Sequence, residues 1–124
     1  MAIILSSKKE KVLPIASIRQ GVVFPHIETV LSFGRPSSVA AVEAAFKNGR
    51  LICFFSQKDP HINDPGKDEL YQIGTLGRIE RILRTENELH AWIKGISRVK
   101  FESLQARHPF LVAEVIEVPE IIEN

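Results

Sequence analysis

The uninterrupted apolar run Leu51-Ile52-Cys53-Phe54-Phe55 constrains this fold more than any other feature of the sequence. Its length and its flanks favour a strand buried on both faces over a helix. The one convincing helical pattern stands directly before it. Val39, Val42 and Phe46 fall at helical spacing, and Ala40, Ala41, Ala44 and Ala45 supply propensity. Pro36 suits the first turn, Lys47 suits the dipole of the last turn, and Asn48-Gly49 is a stop signal. The small alanine face predicts that this helix packs close to a sheet.

The rest of the pattern is mostly β. Lys11 to Ile18 alternates weakly and carries Pro14, which predicts an edge strand at best. Gly21-Val22-Val23-Phe24 is apolar, but Pro25 removes a ladder donor and restricts Phe24 to extended geometry, so a bent segment is expected. Thr29 to Phe33 reads as a short strand broken by Gly34-Arg35-Pro36. Gln57 to Glu69, with two prolines and four acidic residues, reads as a long surface loop. Gln72 to Arg84 reads as a long strand; parts of it also fit a helical template, which Gly74 and Gly77 weaken. Leu89, Ala91 and Ile93 alternate with His90, Trp92 and Lys94, and the turn Thr85 to Glu88 joins the two segments into a hairpin. Gly95 marks a bulge or bend. Val99 to Leu104 and Phe110 to Val118 are expected as the last two strands. Five or six strands with one helix imply an α+β chain, mainly β, in a small curled sheet.

The 124 residues fit one domain. Residues 1–10 read as a flexible arm, 11–119 as the domain, and 120–124 as a tail or the start of a linker. Sixteen basic residues against 15 acidic ones leave a net charge of +1, so nucleic acid is not the expected partner. A single cysteine excludes an internal disulfide framework and suits a reducing compartment. Ile3 to Leu5 is too short for a signal-peptide core of roughly 7–15 residues, and no run approaches the roughly 20 apolar residues of a membrane span. The expectation is a cytoplasmic protein with no membrane partner.

No motif of catalysis is present. Cys53 lies inside its apolar run, where a free cysteine is usually a small core residue. His26, His61, His90 and His108 lack metal-ligand spacing. Asp59, Asn63, Asp64 and Gly66 have the wrong spacing for a calcium loop, and Gly66-Lys67 is followed by Asp68 where a phosphate-binding loop needs Ser or Thr. No catalytic residue, metal site or cofactor is expected.

Beyond periodicity, an ordered set of short elements runs from Leu13 to Val118. It comprises Leu13-Pro14-Ile15, Ile18-Arg19, Val22-Val23-Phe24-Pro25-His26, Gly34-Arg35, Val42-Glu43-Ala44-Ala45, Ser56-Gln57-Lys58-Asp59, Asp68-Glu69-Leu70-Tyr71, Ile73-Gly74-Thr75 and Ile93-Lys94-Gly95-Ile96 with Arg98. This set resembles the LON domain, the amino-terminal substrate-recognition domain of Lon-type ATP-dependent proteases. Ser17, Gln20-Gly21 and Val30 depart from the usual pattern. The resemblance implies a PUA-like pseudo-barrel, a curled six-stranded antiparallel or mixed sheet with one main α-helix. It makes Pro14, Arg19, Phe24, Pro25, His26, Gly34, Arg35, Gly74 and Gly95 family-motif residues. It further implies a non-catalytic module that binds unfolded or damaged proteins and can self-associate within a ring-shaped protease whose serine peptidase lies elsewhere. A stand-alone adaptor that binds a protein or small ligand is the alternative.

A surface that must hold unrelated polypeptides needs exposed apolar groups and adaptable polar ones. The candidate contacts are Val23, Phe24 and Ile27, because proline keeps their run out of an ordinary central strand, and Trp92 on the polar side of its strand. The opposing reading is that Phe24 and Ile27 close the barrel and that Trp92 packs in the core. Arg35 and Glu43 are placed to pair across the helix start.

Overall fold

The computed structural model describes residues 10–19 and 21–119. Strand β1 spans Glu10–Ile18 and β2 Glu28–Phe33, followed by helix α1, Pro36–Lys47. Strands β3, Leu51–Ser56, β4, Ile73–Arg84, β5, Leu89–Ala106, and β6, Leu111–Val118, complete the sheet. The sheet order is β2-β5-β4-β3-β1-β6, and β5 also pairs with β6. That extra pairing closes β5, β4, β3, β1 and β6 into a barrel. Strand β2 lies outside the ring, antiparallel to the first half of β5. The pairing of β1 with β3 is parallel and the others are antiparallel. The curled six-stranded mixed sheet with one helix is therefore the architecture observed.

Strand β3 shows why its apolar run matters. Side chains alternate across a strand, and here each face meets its own core. Ile52 and Phe54 join Ala41, Val42 and Ala45 of α1 in one cluster with Leu89, Ala91 and Ile93. Cys53 and Phe55 face Ile15, Leu76, Val99, Phe101 and Val115 in the other. Phe55 and Phe101 meet edge to face at 5.2 Å. Each such fully buried large side chain contributes roughly 1.5–3 kcal/mol relative to exposure. The alanines of α1 let it lie close on β1 and β3, as their size predicts. The helix stops at Asn48, whose Nδ2 donates to the Ala44 carbonyl at 2.9 Å, and Gly49 follows at φ +92°.

Three expectations need correction. Strand β1 is not an edge strand: Glu10 to Ile15 pair with β6, and Ile15 to Ile18 pair with β3. Pro14 is tolerated because it precedes the stretch that β3 joins. Glu10 belongs to β1 and not to an arm; residues 1–9 and the expected tail 120–124 lie outside the described residues. The segments Leu89 to Lys94 and Val99 to Leu104 are one continuous 18-residue strand. The expected irregularity at Gly95 is real: Gly77 faces Gly95 while Leu76 faces Ser97, so Ile96 is the extra residue of a bulge. The bulge turns β5 from its partnership with β2 to that with β6.

Candidate functional site

The segment from Gly21 to Ile27 is a turn bolted to that bulge. Gly21 and His26 take positive φ, +87° and +70°. The Ile27 amide donates to the Phe24 carbonyl at 3.3 Å. The His26 amide donates to the Gly95 carbonyl at 2.9 Å, and the Gly95 amide donates to the Ile27 carbonyl at 3.0 Å. Gly95 permits this docking, since a Cβ there would stand 2.0 Å from the Phe24 carbonyl oxygen. A second brace comes from β4 and β5. Thr75 Oγ1 donates to the Val23 carbonyl at 2.7 Å, and Arg98 Nη1 donates to Thr75 Oγ1 at 2.9 Å. The Arg98 guanidinium also lies 5.6 Å from the centre of the Phe24 ring.

This bracing decides where each side chain goes. Val23 is 1% exposed and belongs to the core under α1, so it leaves the set of candidate contacts. Phe24 and Ile27 are each 51% exposed and do not close the barrel. Val22 before them and Ile96 beside Gly95 are exposed as well.

Trp92 is half-buried on β5, opposite the exposed Val30 of β2. The Arg81 guanidinium covers its ring at 4.4 Å. Glu28, Val30, Glu80, Arg81 and Trp92 line a groove of about 450 Å³. The groove continues the turn along the chain, because Ile27 leads directly into Glu28.

Most other family-motif residues hold the frame. Gly74 approaches β3 so closely that a Cβ would stand 2.2 Å from the Phe54 carbonyl oxygen. Arg35 does not pair with Glu43: its Nη2 donates to the Ser17 carbonyl and hydroxyl, and its Nη1 donates to the Asn63 carbonyl. Glu43 is directed along the helix flank and pairs instead with Arg84 of β4. Arg19 donates to Asn63 Oδ1 at 2.7 Å. Gly34 is an open link between β2 and α1.

Cys53 offers no nucleophile. Burial pushes its thiol up to about 12, so the reactive thiolate is suppressed at neutral pH. The Asp59 carboxyl is held below the usual range by hydrogen bonds from the His61 backbone and ring, an exposed local turn. Among the described residues, no three His, Cys, Asp or Glu side chains converge as a metal site would require, and no helix is long and apolar enough to cross a membrane. Sequence reasoning missed Arg81 over Trp92 and the exposure of Ile96. Neither has a periodic signature: one is a cross-strand contact, and the other follows from a bulge whose register only pairing reveals.

Residues 12–124 match the family described as the ATP-dependent protease La (LON) substrate-binding domain. The chain is 36% identical over 108 residues to a Lon protease of Nitrosococcus oceani, covering 86% of this chain and 14% of that protein. It is likewise 36% identical over 109 residues to a Lon protease of Desulfovibrio desulfuricans, covering 87% of this chain and 12% of that protein. The chain thus spans only about one seventh of the first of these relatives. The fold resembles the N-terminal domain of a Mycobacterium avium complex Lon protease, with a TM-score of 0.72 at 20% identity, covering 92% of this chain and 58% of that one. A Lon N-terminal domain protein from Xanthomonas campestris gives a TM-score of 0.62 at 19% identity, covering 85% and 58%. The chain belongs to the LON substrate-binding domain family.

Proposed function

We propose that this LON substrate-binding domain captures segments of unfolded or damaged polypeptides for a Lon-type ATP-dependent serine protease, and that the turn Val22 to Ile27 is its first point of contact. The observation that carries the reading is the half-exposure of Phe24 and Ile27 on a backbone fixed by Gly95, Thr75 and Arg98. Apolar groups held in place bind without first losing much conformational freedom, which preserves affinity. An exposed apolar turn also demands little of a partner's sequence, as a surface serving unrelated chains must. Val30 and Trp92 extend the contact into the groove, where Glu28, Glu80 and Arg81 supply adaptable polar partners. The domain contributes no catalysis in this reading. Peptide-bond cleavage belongs to a serine peptidase elsewhere in the assembly, and copies arranged in a ring add their weak contacts.

The test places a photo-crosslinking residue at position 24 or 27 and, as a control, at the exposed positions Val12 or Leu83. A permanently unfolded polypeptide should be trapped at 24 and 27 several-fold more efficiently than at 12 and 83. The double substitution Phe24→Ser, Ile27→Ser should lower capture while leaving the domain folded, with a loss of stability of about 2 kcal/mol for the half-buried surface it removes. Equal trapping at all four positions would remove the turn from the proposed role.

A further inference from the structure

A cleft of about 740 Å³ lies at the other end of β2, where β1 ends and α1 begins. Ser17, Arg19, Leu31, Phe33, Arg35 and Ser38 are among its walls. Two guanidinium groups stand here with neutral partners. Arg19 donates to the Asn63 side-chain oxygen; Arg35 donates to the Ser17 carbonyl, the Ser17 hydroxyl and the Asn63 carbonyl. Burial first, and then the charge of Arg19, lower the proton affinity of Arg35. Asp64 offsets this in part, but its carboxylate also faces Arg107 at 3.9 Å. Asp59 is turned to His61.

The first turn of α1 adds to the positive potential. It contains no acidic residue, and the Arg35 side chain makes no capping bond. Pro36 has no N–H, and the amides of Ser37 and Ser38 precede the first intrahelical donor, Val39. The independent observation is Ser38. It is 4% exposed, it lines the cleft, and its hydroxyl makes no hydrogen bond to any described residue. The residue is otherwise buried, yet its Oγ is not among the polar atoms sealed from solvent, so the hydroxyl opens into the cleft, where it can pair with water or with a bound group. Beside these donors stand apolar walls, Leu31 and Phe33.

We propose that this cleft binds a carboxylate carried on an apolar stem: Arg19, Arg35 and the first turn of α1 receive the oxygens, Ser38 Oγ donates to one of them, and Leu31 and Phe33 flank the stem. A planar carboxylate suits guanidinium donors, and the apolar walls favour it over a bare hydrated anion. The site stands apart from the apolar turn and does not depend on the function proposed for it.

The test is an amide NMR titration of the whole chain with four probes: an acetylated peptide ending in leucine with a free carboxylate, the same peptide as its C-terminal amide, 4-methylpentanoate, and inorganic phosphate. Saturable shifts at the Ser37, Ser38 and Val39 amides are expected with the two carboxylates, and binding of the amide peptide should be weaker by on the order of tenfold. Response to the free-carboxylate peptide alone identifies a chain terminus as the source; equal response to 4-methylpentanoate identifies a small carboxylic acid. Ser38→Ala and Arg19→Gln should each weaken binding several-fold, while Phe24→Ser should leave it unchanged. Phosphate binding as tightly as either carboxylate, or shifts that do not saturate, overturns the proposal. So does unchanged affinity in both cleft variants.

Discussion

Replacing Gly95 by alanine tests whether the close approach of two backbones seats the apolar turn. The added Cβ would stand 2.0 Å from the Phe24 carbonyl oxygen and 2.8 Å from its carbon. Backbone atoms cannot swing aside as a flexible side chain can, so the turn must lift from β5. Two hydrogen bonds then go, from the His26 amide to Gly95 and from the Gly95 amide to Ile27. Each contributes about 0.5–1.5 kcal/mol. Val23, anchored between this turn and the core, loses part of its packing as well. The expected loss of stability is about 2–4 kcal/mol, which lowers the melting temperature of a domain this size by roughly 8–15 °C. The control is Gly34→Ala, where the nearest atom to the new Cβ is the Asn87 carbonyl oxygen at 3.8 Å, an ordinary contact. Gly34 has no left-handed backbone to protect, so this change should be neutral or stabilise by up to about 1 kcal/mol. Thermal unfolding followed by circular dichroism measures both, and hydrogen exchange at the His26 and Gly95 amides reports the turn itself. If the two variants melt within about 1 °C of each other, the docking of Phe24 on Gly95 is not what holds the turn.

Two further perturbations read other parts of the frame. Burial raises the Cys53 thiol to about 12, well above the ordinary value of 9.0 that it has in the unfolded chain, so at alkaline pH the native state keeps its proton while the unfolded state loses it. The resulting stability is fully present below the unfolded value and is lost as pH rises toward the native one, about 2–3 kcal/mol by pH 11; denaturant midpoints of the parent between pH 8 and 11 should fall more steeply than those of Cys53→Ala. Arg84→Ala removes the partner of Glu43 on a solvent-facing flank, and it should cost less than about 1 kcal/mol, with the difference fading in high salt when urea melts are compared.

The parts of the fold that were legible in sequence are those set by neighbours along the chain. Helix α1, the doubly buried β3 and the hairpin of β4 with β5 each carry a local periodicity or turn signal. Strand β1 misled because its status depends on partners far away: Leu13 faces Ala113, and Ile15 faces both Cys53 and Leu111. No local pattern separates an edge strand with a proline from one that changes partner just after the proline. The same holds at the candidate site. Pro25 announced that the run Val22 to Ile27 could not be a central strand, and Gly95 announced a bulge. That the two irregularities are one joint, with Thr75 reaching Val23 across 52 residues, is a tertiary fact. It also explains the error over Val23, whose carbonyl is held by Thr75 while its side chain turns inward.

The geometry of the turn limits how tightly one copy can hold a chain. Burying a large apolar side chain completely contributes roughly 1.5–3 kcal/mol. Val22, Phe24 and Ile27 have already buried about half of their surface, and Ile96 more than half. Covering what remains therefore yields on the order of 1 kcal/mol apiece, or about 4 kcal/mol for the four before the costs of association. Even with those costs left out this corresponds to a dissociation constant near the millimolar range, so a single copy binds no more tightly than that. Weak single contacts suit a surface that must release its partner as readily as it takes it up. They also make capture depend on several copies acting together, or on a second anchor on the same polypeptide. Micromolar binding to an isolated copy would thus mean that the contact reaches well past the turn, into the Trp92 groove or beyond it.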